Sequence, residues 1–116
     1  MDDLERALPS QITDLAVRCG SELTLPLREA KWAVRIASEN SIAVLGVEVF
    51  RILDAGLGVE TYSGYEFQFD GLWRDFVGLN NESALRFMDE NSFGEDHGYI
   101  LTATSEMEFG ELSRRV

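Results

Sequence analysis

An α+β fold is predicted for this chain: an antiparallel sheet of three or more strands, with helices packed mainly on one face. Three observations predict it. Residues 42–53 are apolar except at Gly46, Glu48 and Arg51, and are rich in Val and Ile. A helical repeat of apolar residues over 25–40 comes directly before that run. Residues 59–69 alternate, with Tyr65, Phe67 and Phe69 on one side and Tyr62, Gly64, Glu66 and Gln68 on the other. The 116 residues form one domain, 1–116, within which the pattern assigns 1–24 least clearly.

In chain order, Pro9-Ser10 interrupts the start. Ser10 is a candidate N-cap for Ile12, Leu15 and Ala16, and Cys19-Gly20-Ser21 ends that segment. In 25–40, Pro26 suits the first turn and Glu29 complements the helix dipole. Leu27, Ala30, Val34 and Ala37 make the apolar stripe, and Asn40 or Ser41 ends the helix. Trp32 lies off that stripe; a core edge is the commoner place for such a tryptophan, a partner surface the rarer one.

Both faces of 42–53 are largely apolar under a period of two, which places it inside a sheet and covered on two sides. Gly46 marks a bulge or a close backbone approach. Glu48, among Val47, Val49 and Phe50, must be paired, hydrogen-bonded or on a wet rim; a functional carboxylate is the sharper alternative.

Residues 54–58 then connect a hairpin to 59–69. Asp70 is a candidate cap for a short helix over 72–77, whose Leu72, Trp73, Phe76 and Val77 face inward. Gly78-Leu79-Asn80-Asn81 reads as an interruption, with Asn80 or Asn81 capping a second helix over 82–90. A loop over 91–98, a strand over 99–104 and a short helix begun by Ser105 complete the reading.

Charge is the most informative bulk property. The formal net is −11. Residues 54–111 hold thirteen acids against two bases, Arg74 and Arg86, a local balance of −11. Residues 1–53 hold eight acids and six bases, and Arg114 and Arg115 offset that remainder. Such a field repels phosphate, which argues against nucleic acid, and attracts a basic protein, a cationic ligand or a metal; an acidic surface also serves solubility alone.

No run approaches the roughly 18 apolar residues of a membrane span, and the acidic start is unlike a targeting presequence. One cysteine, Cys19, cannot form an internal disulfide and fits a reducing cytoplasm. One histidine, His97, gives no Ser/His/Asp set, and the acids around it lack the spacing of a calcium loop or the donors of a zinc site. No catalytic, cofactor or metal residue is therefore assigned. Tyr62, Glu60, Glu66, Asp70 and Asp75, with Glu48, are the candidate partner-binding residues, because aromatics anchor interfaces and carboxylates steer basic partners.

Several pieces together resemble a family of small immunity proteins of bacterial polymorphic-toxin systems. They are the helix before the strand, the segment Val44-Leu45-Gly46-Val47-Glu48-Val49-Phe50, the Tyr-rich hairpin strand, the Asn80-Asn81 helix start and Tyr99-Ile100-Leu101-Thr102. The family's Gly, acidic and aromatic strand positions are matched by Gly46, Glu48 and Phe50, and the likeness spans about 25–104. The resemblance implies a non-enzymatic protein that binds and blocks one cognate toxin domain, without implying which residues touch it. The alternative is a small acidic regulatory or adaptor domain, dimeric through an open sheet edge; a small enzyme using Glu48 is the third reading.

Overall fold

The computed structural model describes residues 3–19, 22–51, 58–63, 72–92 and 97–109. Two short helices, α1 (Asp3–Ala7) and α2 (Ser10–Thr13), lead into a hairpin of β1 (Val17–Cys19) and β2 (Glu22–Leu25). Then come α3 (Leu27–Glu39), β3 (Ala43–Arg51), β4 (Gly58–Ser63), α4 (Trp73–Glu90), β5 (His97–Thr104) and a final turn of helix over 106–109. The five strands form one antiparallel sheet in the order β1-β2-β5-β3-β4. The chain is thus α+β, and β3 lies inside the sheet, as its composition requires. The hairpin between β3 and β4 is present; positions 52–57 and 64–71 lie outside the described residues.

Gly46 does sit at a bulge. Val44 pairs with Ala103 and Gly46 with Thr102, leaving Leu45 as the extra residue. The bulge corrects the simple alternation predicted for this strand. Val44, Val47 and Val49 share one core cluster, whereas Ala43 and Leu45 share another. One extra residue switches the face that odd positions occupy, so a strict period of two fails across it.

The main core lies between the sheet and α3. Ala30, Ala33, Val34 and Ala37 are buried there against Val44, Val47, Val49 and Tyr99. Leu4 and Ile12 join them, so the N-terminal segment is part of the domain core. Ser10 is the first residue of α2 rather than its cap; Pro9 holds that position. Trp32, expected at a core edge, is 41% exposed.

The end of α3 is a Schellman turn built on a serine. Asn40 is the C-cap, Ser41 adopts φ 57°, and the Ile42 N–H reaches the Ala37 carbonyl at 2.8 Å. Ile42 and Ala37 are both buried in the main core, which gives the motif its apolar contact.

One continuous helix replaces the two predicted between 72 and 90. Gly78 and the Asn pair do not interrupt α4; Asn80 and Asn81 are fully buried in it. Leu72, predicted to face inward, is 64% exposed, while Trp73, Phe76 and Val77 are buried. The last strand starts at His97, two residues before the predicted 99.

Gly78 has no steric reason to be glycine, since nothing lies within 4 Å of an added Cβ. Gly78→Ala is therefore expected to raise stability by about 0.5–1 kcal/mol, through helix propensity alone. Urea unfolding measures this; an unchanged or lower midpoint refutes it.

Candidate partner-binding surface

What fixes α4 in place is an asparagine pair bonded to the backbone of β3. Asn81 Oδ1 accepts the Val44 N–H at 2.8 Å, and Asn81 Nδ2 donates to the Ile42 carbonyl at 2.9 Å and to Ser38 Oγ at 2.9 Å. Asn80 Nδ2 donates to the Val44 carbonyl at 2.7 Å and to Asn81 Oδ1 at 3.1 Å. Both donors of Asn81 and both of its acceptor sites are in use. The described pairs of β4 with β3 run from Gly46 to Phe50, so 42–44 lie beyond them. The asparagine side chains stand where a further strand would bond. Helix α4 thereby passes the sheet margin and packs on two fronts. Ala84 and Met88 enter the main core, while Trp73, Phe76 and Val77 cover Ala43 and Leu45.

The N-terminal end of α4 builds a surface groove. Trp73 Nε1 donates to the Ser41 carbonyl at 2.6 Å, which ties the helix start to the α3–β3 turn. Phe109 stacks against Trp73 and Phe76 with centroids 5.4 and 5.8 Å away, bringing the segment after β5 alongside. Ser105 caps that last turn: its Oγ accepts the Glu108 N–H at 3.3 Å and donates to Glu108 Oε1 at 3.1 Å. Between these segments lies an open groove of about 630 Å³, with Trp73 and Ser41 among its lining residues. Leu72 and Met107, 64% and 77% exposed, form apolar lips, and Arg74 and Glu106 supply opposite charges. An open groove with apolar lips suits an inserted side chain of a protein partner.

The candidates from sequence are spread over several elements. Asp75 is exposed in the first turn of α4, next to the groove residue Arg74. Glu48 is half-buried in the middle of β3, paired in register with Thr61 and Ile100. Glu60 and Tyr62 stand in β4 opposite Val49 and Val47; Glu66 and Asp70 lie outside the described residues. Trp73, expected to face inward, is buried and lines the groove.

The groove itself was missed because three distant segments make it. Its one local signal was the Ser105-x-x-Glu108 capping pattern, which fixes where the last turn begins. Among the described residues, no group of three or more His, Cys, Asp or Glu side chains is placed to hold a metal ion, and no helix is long and apolar enough to cross a membrane. The fold and surface define an α+β domain with an open groove beside the first turn of an acidic helix. No family model, curated protein or solved structure matches the chain.

Proposed function

We propose that this chain is a non-enzymatic immunity protein that binds and neutralises a cognate bacterial toxin domain in the cytoplasm. The toxin presents a basic surface, as a nuclease does. The observation that carries this reading is the uneven charge along the chain, a local balance of −11 within residues 54–111. The exposed carboxylates of Asp75, Glu106 and Glu108, in the two segments that build the groove, support it, with Arg74 the exposed cation described beside them. Glu106 lines the groove and Asp75 follows the lining residue Arg74 in the first turn of α4, so carboxylates and the exposed Leu72 and Met107 occur in the same segments.

Co-expression with the toxin encoded beside it is expected to restore growth and to give a complex that co-purifies. Continued killing at equal expression rejects the reading. With the complex in hand, reversing Asp75 and Glu106 to Lys together is expected to slow association about tenfold at low ionic strength, with little effect in high salt. An unchanged association rate places the contact elsewhere.

A further inference from the structure

A second surface lies on the outward side of the helical layer, away from the groove. Helices α3 and α4 run side by side and antiparallel. Lys31 pairs with Asp89 near one end, and Asn81 donates to Ser38 nearer the other. On α3, Arg28, Trp32 and Arg35 fall at i, i+4 and i+7, and all three are exposed. This is the composition of an interface anchor, a large aromatic between two guanidinium groups. On α4, Glu82, Arg86 and Glu90 fall at i, i+4 and i+8, and all three are exposed. Among the described residues, none of these five charged side chains has an ion-pair or hydrogen-bond partner.

A basic and aromatic stripe on so acidic a chain needs an acidic complement, and its own α4 supplies one. The contacts between the helices set the levels. Lys31 lies beside Asp89 and Ser38 beside Asn81, so Arg28 stands level with the Glu90 end, Trp32 with Arg86 and Asp89, and Arg35 with the stretch from Glu82 to Arg86. A twofold axis parallel to the helices keeps those levels and lays α3 of each copy on α4 of the other. We propose that this chain forms an isologous dimer through the outward face of α3 and α4. In it Arg28 meets Glu90, Arg35 meets Glu82, and Trp32 covers the Arg86 guanidinium. Each contact occurs twice, and the Trp32–Arg86 pair is a cation–π contact. The groove end, with Leu72 and Met107, stays open. The inference does not rest on the toxin reading.

Sedimentation equilibrium of the purified full chain, with no toxin present, tests it. The expected result is a dimer at about 0.1 mM at physiological ionic strength, where the net charge of −11 on each copy is screened. Trp32→Ala is expected to raise the dimer dissociation constant roughly thirtyfold. Arg35→Glu and Glu82→Arg are each expected to weaken it similarly, and the double exchange to bring it back within a few-fold. All three positions are exposed, so folding is retained, and circular dichroism checks this. A monomer at that concentration, a dimer indifferent to these substitutions, or a double exchange that fails to recover affinity would each overturn the proposal.

Discussion

Asn81→Ala is expected to lower the unfolding free energy by about 3–5 kcal/mol, with the urea m-value unchanged. The side chain is 1% exposed and uses every hydrogen-bonding site it has. Truncation leaves the Val44 N–H and the Ile42 carbonyl buried without their present partner, at about 1–3 kcal/mol each. It also loosens the packing of α4 where the helix crosses the sheet margin. Asn81→Leu is expected to cost as much, because shape does not replace the lost bonds. The Asn80→Ala and Asn81→Ala losses should be less than additive, since both residues bond Val44 and one another. A loss below about 1 kcal/mol for Asn81→Ala would show that water or relaxation satisfies those groups.

Trp73→Ala is expected to cost about 3–5 kcal/mol. The indole is 6% exposed and stacks on Phe76 at 5.2 Å and on Phe109 at 5.4 Å, so its removal empties the centre of the second cluster. Trp73→Phe keeps a ring but leaves the Ser41 carbonyl without its indole donor, at about 1–2 kcal/mol. Denaturant unfolding followed by circular dichroism separates the two variants. Fluorescence supplies a second readout. At concentrations low enough for a monomer, the native emission should combine a buried Trp73 and an exposed Trp32, and Trp73→Ala should leave only the water-exposed component. Equal stabilities for the Ala and Phe variants would show that the ring contributes little.

The parts of this fold that were legible were those where local chemistry and tertiary environment agree. The Val- and Ile-rich run around Val47 reads as an interior strand because it is one, and Gly46 marks its bulge. Asn40 and Ser41 stop α3 as expected, although a serine takes the left-handed position that glycine usually holds. The middle of α4 was misread for a physical reason. Gly78, Asn80 and Asn81 together cost the helix about 2 kcal/mol in propensity. The backbone bonds of the two asparagines outweigh that, and no local rule contains them, because Val44 is more than thirty residues away. The period-two reading of β3 failed at Leu45 for a related reason: a bulge is a feature of pairing, visible only once β5 lies alongside.

The groove was legible only in part. Of the partner-binding candidates, Asp75 is exposed and Glu48 is half-buried in mid-sheet. Trp73 was correctly read as buried, yet its place beneath a groove follows from contacts with Ser41 and Phe109 that sequence spacing does not encode. Trp32 went the other way: off the apolar stripe of α3, it is left to solvent.

The asparagine pair also bears on how the protein stays dispersed. A strand margin with unsatisfied amide and carbonyl groups is a template on which another molecule's backbone can polymerise. Along 42–44 that template is already occupied by side chains of the same molecule. Losing Asn80 and Asn81 would therefore do more than lower the melting temperature: it would free the apolar segment Ile42-Ala43-Val44 to recruit neighbours and promote fibrous aggregates.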